Sequence, residues 1–188
     1  ACPGASKITR AVREVLGHSP SYKSCKVVNP AGLRRVMRQH GWRDAEIDDT
    51  AGFHGEDRVI YLLQGNEWSQ LHEQVHAAGI VDKDMSPWLT EGITETVAQE
   101  IAAKKGWPHH PTYDSYVATV RKDFAPALGL TPLQIGDIIA AAPQQAGGEL
   151  ARRLAVRTNI PARRWYRAIG PGALGPDQFK TLLRQAKR

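Results

Sequence analysis

The sequence predicts an α+β fold, in which a small mixed β-sheet with flanking helices is followed by an all-helical second half. The strongest strand pattern is RVIYLL at residues 58–63, which is rich in β-forming residues and bounded by glycines. The strong patterns that follow it have helical spacing, and no repeat or low-complexity tract interrupts them. We expect one domain over residues 1–188, with an N-terminal lobe at 1–79 and a helical lobe at 80–188.

The N-terminal lobe is predicted from helix caps and strand-forming runs. A first helix begins at Ser6 as N-cap, extends to Leu16 and ends at Gly17. A second helix begins at Asn29-Pro30 and ends at Gly41. Weaker strand patterns precede the one at 58–63, and they cover residues 22–28 and 45–53.

The helical lobe is predicted from capping and breaking residues. Thr131-Pro132-Leu133-Gln134 is a capping box with proline at the first helical position. Gly147-Gly148 is predicted to separate that helix from the next one. The further predicted helices cover residues 113–128, 149–158, 162–169 and the chain from about Pro176.

Residues 67–78 predict an amphipathic helix that carries a metal-binding motif, HEQVH. Its apolar positions follow helical spacing and form a packing face, at Trp68, Leu71, Val75 and Ala78. His72 and His76 are one turn apart on one face, so both imidazoles can bind the same ion, and Glu73 lies beside them. This pattern predicts a zinc hydrolase.

The next helix offers a third ligand. Ser86-Pro87 predicts its start, and apolar residues recur every fourth position behind it, at Leu89, Ile93, Val97 and Ile101. Two helices joined by a short loop form an antiparallel pair, in which positions equally far from the connection lie opposite each other. Glu91 then faces His76, and Glu95 faces His72. The Glu95 carboxylate would accept a hydrogen bond from the other ring N–H of His72.

HEQVH at residues 72–76 and WLTEGITE at residues 88–95 together resemble the gluzincin metallopeptidases, the clan of thermolysin and the zinc aminopeptidases. The resemblance implies a zincin-like catalytic domain, a Zn²⁺ cofactor and a polypeptide substrate. It assigns His72, His76 and Glu91 as the metal ligands and Glu73 as the general base. Glu95 matches the acidic residue that supports the first histidine ligand in this family. We expect an endopeptidase, because the chain shows no motif for capturing a substrate α-amine.

The resemblance also assigns a substrate-binding role to the strand at residues 58–63. In the family, the strand that precedes the HExxH helix lies at the edge of the sheet and binds the substrate in extended form. An exposed edge offers unpaired main-chain N–H and C=O groups to a peptide. We therefore expect Ile60, Tyr61 and Leu62 to contact the substrate, while Ile60 and Leu62 pack inward.

Asp82 is an alternative third ligand. Residues 72–82 also satisfy HExxHxxGxxD, which is similar to the metzincins that end in aspartate, with Gly79 turning the chain. This interpretation leaves residues 88–95 without a role. The simpler interpretation of Asp82 is a solvated loop residue.

The resemblance also implies a donor from the helical lobe, typically a tyrosine, histidine or arginine, that stabilises the oxyanion formed during hydrolysis. Arg163 and Tyr166 are three residues apart on one predicted helix face, and both side chains can donate. Of the two, we choose Tyr166, and its rivals nearer in sequence are His109, His110, Tyr113 and Tyr116. The remaining histidines are interpreted as solitary polar residues, at positions 18, 40 and 54.

Composition and charge leave a second class of function open. The chain has 41% hydrophobic residues, a net charge of +6 and a pI near 9.5, and much of its excess charge follows residue 150. A non-catalytic module that binds nucleic acid or another polyanion is therefore the alternative, although no nucleic-acid motif accompanies the charge. We expect a monomer without a membrane span, and we favour a secreted or cell-envelope location. Cys2 and Cys25 either form one disulfide or remain thiols.

Overall fold

The computed structural model describes residues 2–47, 50–63, 67–108 and 112–186, without the side chains of residues 45 and 46. Its fold is α+β, as predicted, with one small mixed sheet near the N-terminus followed by helices. The chain divides into two compact units, Ala1–Ala78 and Gly79–Arg188.

The first unit contains a three-stranded sheet with the strand order β1-β3-β2. Strand β1, Ser24–Val28, is parallel to β3, Val59–Leu63. Strand β2, Gly52–His54, is antiparallel to β3 on its other side. The strands predicted at 22–28 and 58–63 are thereby confirmed.

The predicted edge position of β3 is wrong, because β3 is the central strand. The three residues assigned to substrate binding each lie opposite a residue on both neighbouring strands: Ile60 between Cys25 and His54, Tyr61 between Lys26 and Phe53, and Leu62 between Val27 and Gly52. Hydrogen bonds within the sheet therefore occupy both sides of the strand that was expected to bind a peptide. A tight turn causes this arrangement, since the N–H of Gly55 donates to the carbonyl oxygen of Val59 at 3.0 Å and folds β2 back onto β3.

The first unit also contains the helices α1 Ala5–Leu16, α2 Pro30–Gln39, α3 Asp44–Ile47 and α4 Glu67–Ala77. Helix α1 ends at Gly17 as predicted, but its N-cap is Gly4 and not Ser6. Asn29 caps α2 by accepting a hydrogen bond from the N–H of Gly32 at 2.8 Å. The strand predicted at 45–53 is wrong at its start, which α3 occupies; residues 48 and 49 lie outside the described residues.

The two faces of the sheet pack in separate apolar clusters, because side chains alternate along a strand. One cluster joins β2 and β3 to α2 and α3, through Phe53, Val59, Tyr61, Leu33, Met37 and Ile47. The other joins β1 and β3 to α4, through Cys2, Cys25, Ile60, Leu62 and Ala77. Cys2 and Cys25 form a disulfide, a pairing that the sequence left open, and it links the segment before α1 to β1.

Within its described residues, the second unit contains helices and loops but no strand. Its helices are α5 Pro87–Lys105, α6 Asp114–Thr119, α7 Ala125–Leu128, α8 Pro132–Ala141, α9 Ala146–Thr158, α10 Ala162–Ile169 and α11 Asp177–Ala186, with a π-helical turn at Val120–Phe124 between α6 and α7. The ring of Phe179 lies at the centre of its core, with centroid distances of 6.1 Å to Trp88, 5.4 Å to Phe124 and 5.5 Å to Trp165.

The predicted capping box of α8 is confirmed, but the predicted break at Gly147-Gly148 is wrong. Both glycines lie in the first turn of α9. A Cβ atom at position 147 would lie only 1.9 Å from the carbonyl oxygen of Asp84, and the N–H of Gly148 donates to Asp84 Oδ2 at 2.9 Å. The glycines therefore serve a close backbone approach and do not interrupt the helix.

Across the described part of the chain, no single helix has both the length and the hydropathy needed to cross a membrane. The segments Asp114–Leu128 and Pro132–Ala141 meet both criteria only when they are taken together, and this pair is bent by 79°.

Candidate metal centre

Helix α4 is anchored on the side opposite its two histidines. Gln74 Nε2 donates to the carbonyl oxygen of Ala5 at 3.2 Å, and Gln74 Oε1 accepts from the hydroxyl of Thr9 at 2.7 Å. Residues two apart on a helix point about 200° away from each other. The bonds of Gln74 to α1 therefore fix the rotation of α4 and direct His72 and His76 to the other side.

The two imidazoles of α4 lie next to each other, as the motif predicts. Their ring centroids are 4.9 Å apart, and the ring planes make an angle of 74°. His72 is buried and His76 is half-buried. The predicted packing face is confirmed, since Trp68, Leu71, Val75 and Ala78 are all buried.

Helix α5 positions Glu91 near its start. Its predicted apolar stripe is confirmed, because Leu89, Ile93, Val97 and Ile101 have no exposed surface. Gly92 follows Glu91, and a Cβ atom there would lie 3.1 Å from side-chain atoms of both Tyr116 and Val120. The glycine therefore allows α6 and the π-helical turn to pack closely against α5 beside the glutamate. In the sequence, this glycine was visible only as part of the family resemblance.

His72, His76 and Glu91 form a cluster that can hold a metal ion. One nitrogen from each histidine and one carboxylate oxygen all lie within 4.8 Å of one another. Ligand atoms at about 2.1 Å from a shared zinc ion in a tetrahedral site are about 3.4 Å apart. The three side chains are thus within reach of one ion. Asp82 is exposed and does not belong to this cluster.

Glu73 lies against the main chain of β2. The Glu73 side chain is buried, with 7% of its surface exposed. A Cβ atom on Gly52 would lie 3.1 Å from Glu73 Cγ, 3.2 Å from Ser69 Cβ and 2.9 Å from Leu62 Cδ2. Only a glycine leaves room for this contact. A glycine inside a strand pattern was the signal that could have identified it.

Glu95 is fully buried on α5. Its Oε1 atom accepts hydrogen bonds from Gln99 Nε2 and from the N–H of Thr112, both at 3.3 Å. These donors hold the carboxylate in place within the second unit. The contact of Glu95 with His72 stays a prediction.

The predicted oxyanion donor, Tyr166, has a partner within the second unit. Its hydroxyl donates to Asp84 Oδ1 at 2.6 Å, and this hydrogen bond raises the pKa of the phenol. Its role towards an oxyanion stays a prediction. Among the rivals, the ring of Tyr113 stacks on that of Tyr116 at 6.1 Å, whereas residues 109 and 110 lie outside the described residues.

His54 is the residue of this region that the sequence analysis missed. It was interpreted as a solitary polar residue, but it lies on β2 two residues after Gly52. Its Nε2 atom is buried and has no hydrogen-bond partner among the described residues. Burial and, to a lesser extent, the nearby His76 lower the pKa of His54 to about 4. The ring is therefore neutral at pH 7.

Comparison of the chain with protein-family models, with curated proteins and with solved structures finds no match. The side chains themselves are therefore the basis for inferring a function.

Proposed function

We propose that this protein is a zinc-dependent peptidase, in which His72, His76 and Glu91 hold the metal ion and Glu73 is the general base. The observation that supports it is the clustering of these three ligand atoms within 4.8 Å, on helices whose sequences resemble those of the gluzincins. The proposal includes a zincin-like fold.

The donor set favours a catalytic zinc site over a structural one. Structural zinc sites are usually closed by four protein ligands and often contain cysteine thiolates, whereas catalytic sites use three protein ligands and leave one position open. The cluster has two imidazoles and one carboxylate, and both cysteines of the chain are in the disulfide. A zinc ion bound there would supply a Lewis acid and lower the pKa of a bound water molecule to about 7.

Glu73 is the proposed carrier of the proton. It follows His72 directly on α4 and does not belong to the cluster of ligands. As general base it would accept the proton of the attacking water molecule and then give it to the nitrogen of the leaving amine. Its contact with Gly52 restricts the space in which the side chain can move.

Strand β2 replaces β3 as the proposed binding strand for an extended peptide. It pairs with β3 on one side only, and within the described residues no strand pairs with its other side. It also packs against α4, through Gly52 and Glu73. A substrate main chain aligned along β2 would thus pass next to the general base.

Two further observations bear on the wider proposal. Disulfides persist in oxidising compartments, so the Cys2–Cys25 bridge supports a secreted or cell-envelope location. Part of the basic surface is engaged within the chain, since Glu149 forms ion pairs with Arg152 and Arg153 and Arg157 Nε donates to the carbonyl oxygen of Ala127. No observation therefore favours a polyanion-binding function over hydrolysis.

The proposal is tested by zinc-dependent cleavage of an unfolded protein, such as reduced and alkylated casein. Wild-type protein loaded with zinc should cleave it, and removal of zinc by a chelator should stop cleavage until zinc is restored. Glu73→Gln should retain zinc and lose at least about 1,000-fold in rate, because the base is the group that moves the proton. Glu67→Gln is the control, since this exposed glutamate lies on the same helix and should leave the rate unchanged. Equal rates for Glu73→Gln and wild type would refute the proposal.

A further inference from the structure

His54 has a fixed place on the face of the sheet that packs against α4. Gly52 and His54 are two residues apart on β2, so they face the same side of the sheet. Gly52 contacts Glu73 and Ser69 of α4 on that side. The residues opposite them on β3, Leu62 and Ile60, belong to the cluster that includes Ala77 of α4. Both positions of β2 therefore face α4.

The order of these contacts brings His54 towards the metal cluster. Gly52 lies at the level of Ser69 and Glu73, and His54 lies opposite Ile60, which belongs to the same cluster as Ala77, the residue after His76. Moving two residues along β2 thus corresponds to moving from the general base towards the second histidine. The imidazole of His54 is a polar group beside the proposed site but outside the set of three ligands.

The Nε2 atom of His54 has an unused capacity for hydrogen bonding. It is buried, and no donor or acceptor of the described residues contacts it. Buried polar side-chain atoms are hydrogen-bonded in the large majority of cases. A buried nitrogen without a partner beside the proposed site is therefore expected to bind a group of the ligand. A neutral imidazole with its proton on Nε2 is a hydrogen-bond donor.

We propose that His54 Nε2 donates a hydrogen bond to the oxygen of the scissile carbonyl as that oxygen becomes negatively charged. When the water oxygen bonds to the carbonyl carbon, the π electron pair moves to the carbonyl oxygen and Glu73 takes the water proton. Collapse of this intermediate restores the C=O bond, breaks the C–N bond and passes the proton to the amine. A donor fixed beside the oxyanion stabilises the charge that develops between these steps. The inference rests on the proposed peptidase function.

His54→Ala should lower kcat by about 100-fold and change KM little, because the hydrogen bond strengthens only as the charge develops. The zinc-loaded variant should bind a phosphonamidate dipeptide, which carries a negative oxygen at the oxyanion position, with a similarly reduced affinity in a calorimetric titration. Zinc content and thermal midpoint should match the wild type. His54→Gln, which keeps an N–H donor at about the same reach, should recover part of the loss.

His40→Ala is the matched control. His40 is another half-buried histidine, but its ring packs at 5.2 Å from that of Phe53, on the opposite face of the sheet. It should leave kcat and phosphonamidate affinity unchanged. If His54→Ala retains kcat and inhibitor affinity within threefold, or loses zinc, the assignment of His54 is overturned while the peptidase function stands. A wild-type protein without zinc-dependent cleavage would overturn both.

Discussion

Two regions of this molecule use glycine to bring the main chain against a carboxylate, and they differ in what remains unpartnered. In the second unit, Tyr166 donates to one oxygen of Asp84 at 2.6 Å and Gly148 to the other at 2.9 Å. In the first unit, Gly52 lies against Glu73, but the nearby Nε2 atom of His54 has no hydrogen-bond partner within the described chain.

The difference separates a polar group that stabilises the fold from one that is available to a ligand. A cleft of about 440 Å³ lies beside Asp84, yet both oxygens of that carboxylate already have donors from its own unit. A buried polar atom without a hydrogen-bond partner is therefore a better indicator of a ligand-binding site than the volume of a cleft. We name the two regions the Asp84 contact, formed by Asp84, Gly147, Gly148 and Tyr166, and the β2–α4 contact, formed by Gly52, His54 and Glu73.

The largest effect is expected from Gly147→Ala in the Asp84 contact. The new Cβ atom would lie 1.9 Å from the main-chain oxygen of Asp84, and overpacking against backbone should lower the free energy of unfolding by about 3 kcal/mol or more. Gly148→Ala is the matched variant, because its Cβ atom would lie 3.8 Å from the nearest atom of Asp84. Urea unfolding should show no loss for it. Equal losses for both variants would contradict the close approach at position 147.

Removal of the disulfide should have the next largest effect. The bridge spans 23 residues of sequence, and a loop of this length predicts a loss of about 3 kcal/mol in the free energy of unfolding for the double variant Cys2→Ala/Cys25→Ala. The bridge lies in the apolar cluster that joins β1 and β3 to α4. An unfolding midpoint that does not change on reduction would show that the bridge contributes no stability.

Gly52→Ala tests the β2–α4 contact directly. Three atoms of Leu62, Glu73 and Ser69 lie within 3.2 Å of the new Cβ atom, so we expect a loss of about 1–2 kcal/mol in stability. Displacement of the general base should reduce cleavage by roughly 100-fold. Gly172→Ala, whose Cβ atom would meet nothing within 4 Å, should change neither quantity. A fully active Gly52→Ala protein would show that Glu73 does not depend on β2 for its position.

Tyr166→Phe should have the smallest effect. It removes the hydroxyl that donates to Asp84, which should cost about 1 kcal/mol in stability and leave the cleavage rate unchanged. A fall of the rate by about 100-fold with zinc retained would instead support Tyr166 as the oxyanion donor, as the sequence analysis predicts, and would count against His54.

The sequence was sufficient where local patterns decide the structure. Helix α5 follows from Ser86-Pro87 and a fourfold apolar spacing, and its C-cap, Gly106, has the positive φ of 65° typical of a helix end. The capping box at Thr131 was likewise visible, since both of its hydrogen bonds are local. The spacing of His72, His76 and Glu91 predicted the cluster that the structure contains.

The sequence was insufficient where contacts between distant segments decide the structure. β2 has only three residues, too few for a clear alternation, so its pairing with β3 and the central position of β3 could not be read locally. Gly147 resembles a helix breaker in the sequence, because its contact with Asp84 joins residues that are far apart in the chain. His54 gains its significance only from the antiparallel pairing that turns it towards α4.

The most direct test of the metal site is elemental analysis of the purified protein, with wild type beside Glu91→Ala and Asp82→Ala at neutral pH. We expect about one zinc ion per chain in wild type and in Asp82→Ala, and strongly reduced zinc in Glu91→Ala, because one of the three ligands is lost. Loss of zinc in Asp82→Ala with retention in Glu91→Ala would contradict the cluster described above. Absence of zinc from the wild type after incubation with the metal would contradict the assignment of a zinc site to His72, His76 and Glu91.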